Sequence, residues 1–307
     1  MHLTNGHRLL GPAALSVALF CVLARCGSLT RERRSRIRWN PPLAANLSYP
    51  LSVRVLGHGH PVVLLHGLGA SGRYWGSEYD KMASDHRLVV PDLLGFGASP
   101  RPDHGYGPDD HAAMVAACLE AAHVREPTVV AAHSAGVIVA LRLATTRPDL
   151  VRAVIGVGPP LYRTVPDARR HIKALGPMAR LFANDGQLAE MACRWVCNHR
   201  DAAARLAEWG RPDLPAQIAR DGVRHSWNSY SESLTGLVLH SGASDWLGDI
   251  DVPVLFIAGD HDAVCDYGWL QVLATRYPNV RVEVWGGDHH LPLTDSEAII
   301  QRIMEAT

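Results

Sequence analysis

The segment Val129-Val130-Ala131-Ala132-His133-Ser134-Ala135-Gly136-Val137-Ile138-Val139-Ala140 sets one hydroxyl in a tight junction between two apolar runs. A serine at such a junction has two uses. It caps the following helix by accepting a hydrogen bond from a first-turn N–H, or it is a nucleophile lifted clear of both elements. A hydroxyl is a weak nucleophile at its ordinary pKa, so acyl chemistry requires a base to take its proton and an acid to orient that base. Two later loops carry groups of this kind: Gly259-Asp260-His261-Asp262, and Gly286-Gly287-Asp288-His289-His290. The residues beside the serine, Ala132, Ala135 and Gly136, are small, as a crowded turn demands.

The elements that would position these groups follow from the hydrophobic pattern. Short apolar runs predict strands over 51–56, 61–65, 87–90, 127–132, 151–157, 252–258 and 280–285. The Gly57-His58-Gly59 break between the first pair suggests a hairpin. Helical stretches are expected over 110–123, 135–146, 267–277 and 296–306. Strands alternate with helices, and several strands are continuous apolar runs. That pattern implies an α/β fold with a mostly parallel sheet covered on both faces. The run 159–249 breaks the alternation with helical periodicity alone, over 178–182, 188–196, 202–209 and 231–240. It reads as a helical cap inserted into a core formed by 46–158 and 250–307, with 1–45 as an N-terminal apolar segment and basic linker.

Ser134 therefore lies at the carboxyl edge of a sheet, where α/β proteins bind ligands. The strand-turn-helix resembles the nucleophile elbow G-x-S-x-G of the α/β-hydrolase family, with Ala132 in place of the first glycine. The family order is serine, acid, histidine. By that resemblance Asp262 is the acid, with Asp260 its rival closer to the strand end. The same resemblance makes His289 the base, in the loop after the last strand, with His290 the competitor. His66-Gly67-Leu68-Gly69 resembles the family's HGxG loop, which implies that the Leu68 and Ala135 N–H groups form an oxyanion hole and that His66 is structural. Asp92-Leu93-Leu94-Gly95-Phe96-Gly97-Ala98-Ser99 matches a further family turn and is assigned to loop geometry. Short strings in 92–99, 132–134 and 288–289 also look like the plant BODYGUARD-type, lysophospholipase-like branch.

A serine at the elbow argues against epoxide hydrolysis and haloalkane dehalogenation, which use an aspartate nucleophile in this family. The resemblance implies hydrolysis of carboxylic esters through an acyl-enzyme. The same machinery serves lactones, thioesters and carbon–carbon bonds, and a binding protein without turnover is the alternative from another class. Cap residues Met178, Leu181, Phe182, Met191, Trp195, Trp209, Trp227 and Tyr230 are expected to divide between cap core and an apolar pocket for a small acyl substrate. Arg194, His199 and His225 are polar candidates there.

The formal net charge is +0 and charged residues make up 20% of the chain, so nothing global points to nucleic acid. No phosphate loop, dinucleotide fingerprint or metal motif is legible, and no cofactor is expected. Cys193-Arg-Trp-Val-Cys197 with nearby His199 has a faint ligand spacing, but cysteines one helical turn apart more often fill a core. The apolar run Leu9–Ala24, followed by Arg25, Arg31, Arg33, Arg34, Arg36 and Arg38, reads either as a signal-anchor that leaves the bulk cytoplasmic or as an unstructured extension. Pro41-Pro42 reads as a linker.

Overall fold

The computed structural model describes Ile37 and residues 39–42, 47–48, 50–175, 180–181, 186–240 and 242–307. The expected anchor at 9–24 and the expected cap helix at 178–182, apart from its residues 180 and 181, lie outside these. Among the described residues no helix is long and apolar enough to cross a membrane.

An eight-stranded sheet forms the centre: β1 (Leu47–Ser48), β2 (Ser52–Leu56), β3 (His60–Leu65), β4 (His86–Pro91), β5 (Thr128–His133), β6 (Val151–Val157), β7 (Val254–Gly259) and β8 (Val280–Trp285), in the order β1-β2-β4-β3-β5-β6-β7-β8. From β4 to β8 all neighbours are parallel. The expected hairpin does not form, because β2 pairs antiparallel with β4, which lies between β2 and β3. The glycines of the break serve a different need. A Cβ on Gly57 would stand 2.3 Å from the His86 carbonyl oxygen, and one on Gly59 2.3 Å from that of Asp85. The chain must slip past the start of β4 to leave room for it.

Alternation along each strand feeds two cores. Val63, Leu65, Val130 and Ala132 face the layer containing helices α2 (Pro108–Ala121) and α3 (Ala135–Thr146). Val62, Leu64, Val129 and Ala131 face the other layer, with Trp75, Tyr79 of α1 (Gly76–Asp80), Ile299 and Ile303. Helix α3 is buried along most of its length, which explains its continuous apolar sequence. Between β6 and β7 the chain runs through α4 (Val165–Ala174), α5 (Gln187–Asn198), α6 (Arg200–Gly210), α7 (Ala216–Asp221), α8 (Trp227–Ser233) and a π-helical turn, Leu234–Leu239. After β7 come α9 (Tyr267–Arg276), the short α10 (Leu291–Thr294) and α11 (Ser296–Ala306). This is the expected architecture, a doubly wound α/β sheet with inserted cap helices.

Upstream of the sheet, Ile37, Trp39 and Asn40 of the expected linker meet the core. The Trp39 indole N–H donates to the Arg73 carbonyl at 3.0 Å, and Ser77 N–H donates to the Asn40 carbonyl at 3.0 Å. Ile37 and Trp39 lie against Tyr74, Ile218 and Leu293.

One ion pair is sunk in this framework. Arg54 of β2 donates to Asp80, with side chains only 1% and 2% exposed. Removing one member strands a buried charge, which costs about 3–5 kcal/mol, whereas replacing both with apolar residues is often neutral. Asp80→Leu should therefore lower the urea-unfolding free energy by about that much, and the double change Arg54→Met/Asp80→Leu should recover most of the loss. Equal destabilisation in the single and double variants would contradict this account.

Candidate active site

The elbow is built by backbone geometry. Ser134 has φ 54° and ψ −128°, a conformation a residue with a Cβ rarely adopts. Its N–H donates to the Val157 carbonyl of β6 at 2.9 Å, and its own carbonyl accepts from Val137 N–H at 2.9 Å. The hydroxyl makes no capping bond to α3. It lies 3.0 Å from His289 Nε2 instead. Neighbouring chains approach closely: a Cβ on Gly67 would be 2.8 Å from the Ser134 Cβ, and one on Gly136 2.5 Å from the His66 carbonyl oxygen. Ala132 is buried in β5 and has no positive φ, so alanine fits where the family pattern has glycine.

His289 stands in the loop after β8, and Asp262 in the loop after β7. His289 Nδ1 lies 2.9 Å from Asp262 Oδ2, and Asp262 Oδ1 accepts from Val264 N–H at 2.8 Å. Burial would raise the Asp262 pKa. The charge and hydrogen bond of His289, with the Val264 N–H, outweigh it and hold the carboxyl below its usual range. An ionised Asp262 fixes the proton on His289 Nδ1 and leaves the Nε2 lone pair facing the Ser134 hydroxyl. Gly158, at φ +62°, makes room for this pair, since a Cβ there would be 2.9 Å from His289 Nδ1 and 3.2 Å from Asp262 Oδ2. The rival Asp260 is used elsewhere. Its Oδ1 accepts from Gly287 N–H at 2.8 Å and pins the loop that carries His289.

His290 points away from the serine. Arg211 of the cap is a donor only, so the 3.1 Å contact from its Nη2 makes His290 Nε2 an acceptor. The imidazole proton then sits on Nδ1, 3.1 Å from the Tyr74 hydroxyl. Arg211 also forms a forked pair with Asp213.

His66 is a buried brace: its Nδ1–H donates to the Gly67 carbonyl at 2.8 Å while Nε2 accepts from Leu93 N–H at 2.8 Å. Asp92 likewise ties loops together, accepting from Gly72 and Ala98 N–H groups at 2.7 and 2.8 Å. Gly67 abuts Ser134, and Leu68 follows it directly. The Ala135 N–H is the first of α3, where no intrahelical acceptor exists. Both groups thus lie on segments bordering the serine.

Several participants carried no local sequence signal. His133 precedes the serine, stacks on Tyr74 at 4.7 Å and donates from Nε2 to the His289 carbonyl at 2.8 Å. Cap residue Asp221 is buried and accepts from the Ser71 hydroxyl at 2.7 Å, beside the glycine loop. Of the expected cap apolars, Tyr230 packs on the main core, whereas Met191 and Trp209 are 52% and 38% exposed and so belong to neither the cap core nor an enclosed pocket. Met178 and Phe182 lie outside the described residues. Arg194 pairs with Glu190, and His199 with the Trp195 carbonyl.

A family model described as alpha/beta hydrolase fold matches residues 60–296. An uncharacterized protein of Mycobacterium tuberculosis is 24% identical over 285 residues, covering 84% of this chain and 79% of the relative. The Arabidopsis thaliana protein named "Probable lysophospholipase BODYGUARD 5" is 27% identical over 256 residues, covering 75% of this chain and 57% of that protein. Among solved structures, an esterase, RhEst1 from Rhodococcus sp. ECU1013, superposes with a TM-score of 0.62 at 24% identity, covering 83% of this chain and 93% of that one.

The environment of His133 has a consequence in acid. Burial, reinforced by His289 nearby, pushes its pKa down to about 3. The unfolded chain protonates this ring near pH 6.5, so between about 6.5 and 3 the unfolded state binds the extra proton and stability falls as pH falls, by up to about 1.4 kcal/mol per pH unit. His133→Gln keeps an N–H donor and cannot titrate. Its unfolding free energy, followed by urea denaturation from pH 6.5 to 4.5, should fall less steeply than the parent's by about one proton. Parallel slopes would mean that the native ring is protonated.

Proposed function

The chain belongs to the α/β-hydrolase fold family, and from that premise we propose that it is a serine hydrolase that cleaves carboxylic esters of small acyl substrates. One observation carries the reading: the unbroken line of hydrogen-bonding contacts from Ser134 Oγ to His289 Nε2 at 3.0 Å and from His289 Nδ1 to Asp262 Oδ2 at 2.9 Å. The hydroxyl serves no capping role, so this contact is its main engagement.

In the proposed reaction His289 Nε2 takes the Ser134 proton as Oγ attacks the acyl carbon. Negative charge develops on the former carbonyl oxygen, and the Leu68 and Ala135 N–H groups stabilise it. A donor of this kind is worth about 3–4 kcal/mol elsewhere. Asp262 stabilises the imidazolium without taking its proton. His289 then protonates the leaving alkoxide as the tetrahedral intermediate collapses. A water, deprotonated by the same nitrogen, hydrolyses the acyl-enzyme and restores Ser134. Every group needed is a side chain or backbone N–H of this chain, so the reading requires no cofactor. The name carried by the BODYGUARD 5 relative agrees with ester cleavage in kind.

A fluorescent fluorophosphonate should label the full chain, and Ser134→Ala should abolish the labelling. With a short aryl ester, Ser134→Ala and His289→Ala should lower kcat/KM by about 10⁴-fold or more, and His290→Ala far less. Labelling that survives Ser134→Ala would refute the nucleophile. A folded protein that is neither labelled nor active on a chain-length series of esters, lactones and thioesters would favour a binding protein.

A further inference from the structure

The cap brings together a set of soft ligands that the proposed hydrolysis does not use. Cys193 and Cys197 sit one turn apart on α5, and the chain segment between α7 and α8 delivers His225 to the same point. The sequence spacing suggested His199 as their companion, but its ring is turned onto Trp195, stacked at 4.9 Å. The sulfurs lie 4.0 Å apart, Cys193 Sγ is 3.7 Å from His225 Nδ1, and all three ligand atoms lie within 4.8 Å of one another. Zn–S bonds of about 2.3 Å and Zn–N bonds of about 2.0–2.1 Å give tetrahedral edges of about 3.8 Å between sulfurs and about 3.5 Å from sulfur to nitrogen. The observed separations approach those edges. Cys193 and His225 are buried, and Cys197 is partly exposed.

We propose that Cys193, Cys197 and His225 form a binding site for a thiophilic divalent cation, Zn²⁺, with water in the fourth position on the side of Cys197. Binding displaces one proton from each thiol. The Nδ1 proton of His225, now 3.1 Å from the Ser226 carbonyl, passes to Nε2 so that the Nδ1 lone pair reaches the metal. The contact of Cys197 Sγ with the His225 carbonyl, 3.2 Å, is exchanged for the metal bond. Two thiolates and one dication have no net charge, which suits surroundings that already hold Arg101, Arg194 and Arg200. A disulfide is the poorer use of the pair. Residues four apart on a helix have Cβ atoms about 5–6 Å apart, whereas a disulfide needs about 3.5–4.5 Å. The metal would join α5 to the segment entering α8. The His225 ring there stands 6.4 Å from Phe96, which in turn is 6.2 Å from His66 of the glycine loop. Zinc would thus clamp the cap beside the loops that border Ser134.

The test titrates the reduced full chain with Zn²⁺ against a chromophoric chelator without oxygen, and with Co²⁺ as a spectroscopic substitute. The expected result is one equivalent bound, with a thiolate-to-cobalt charge-transfer band and a higher Tm in zinc, because the ion binds the native state alone. Cys193→Ser, Cys197→Ser and His225→Gln should each lose the stoichiometric zinc and the Tm shift. Controls carrying Cys21→Ser/Cys26→Ser or Cys118→Ser should keep both. Absence of stoichiometric zinc from the parent, or zinc retained by all three ligand variants, would overturn the proposal. A ligand variant that fails to fold leaves the parent's Tm shift and cobalt band to decide, and a parent lacking either refutes the site.

Discussion

The architecture turns on the backbone of one residue. Ser134 holds φ at 54°, a conformation that costs of order 1–3 kcal/mol for a side-chain-bearing residue. The surroundings leave the turn no alternative. Its N–H is tied to Val157 on one side, its carbonyl to Val137 on the other, and Gly67 and Gly136 come too close for any Cβ. In a relaxed turn the hydroxyl would swing back and cap α3, a bond typically worth about 1 kcal/mol. Here the strained turn aims it at His289, so α3 begins without a side-chain cap. Two buried layers on either face of β5 supply the rigidity that sustains this arrangement.

The electrostatics follow from where protons are prevented from going. The His133 ring lies 4.6 Å from that of His289 and His66 braces the glycine loop, and burial depresses the pKa of both. As neutral rings they act as directional braces and place no competing positive charge beside the imidazole. His290 is diverted to Tyr74 and Arg211. Asp262 is the nearby carboxylate kept ionised at close range, and it faces the nitrogen whose protonation leaves the other free for the serine. The arrangement leaves His289 Nε2 facing the Ser134 hydroxyl.

Much of this was legible in sequence because the signals are local. Continuous apolar runs marked β3, β5 and β6, and the small residues around Ser134 marked the elbow. Asp262 and His289 were picked out by the resemblance to the family's loop patterns, and the structure brings both to Ser134. What failed was what depends on partners far along the chain. Gly57 and Gly59 look like a hairpin turn, but the strand that enters beside β2 is β4, and only the assembled sheet shows those glycines yielding to residues 85 and 86. His290 meets a cap arginine, Arg211, some eighty positions upstream, a contact for which sequence spacing gives no warning. The same limit hid the companion of Cys193 and Cys197. His199 was near in sequence, while His225 was near in space.

The cap is joined to the core at the loops that matter most for the proposed chemistry. Asp221 at the end of α7 accepts from Ser71, a Cβ on Gly69 would come within 3.6 Å of the Gly222 carbonyl oxygen, and a Cβ on Gly95 would stand 2.4 Å from that of Ser229 on α8. These contacts fall on 66–72 and 92–99, the segments that contribute Leu68 and brace His66. A cap that merely covered a pocket could rest anywhere on the rim. One bonded to the glycine loop shares its position with the backbone of that loop. The cap and the glycine loop are therefore held by one set of contacts, with Asp221 the cap side chain that accepts from Ser71.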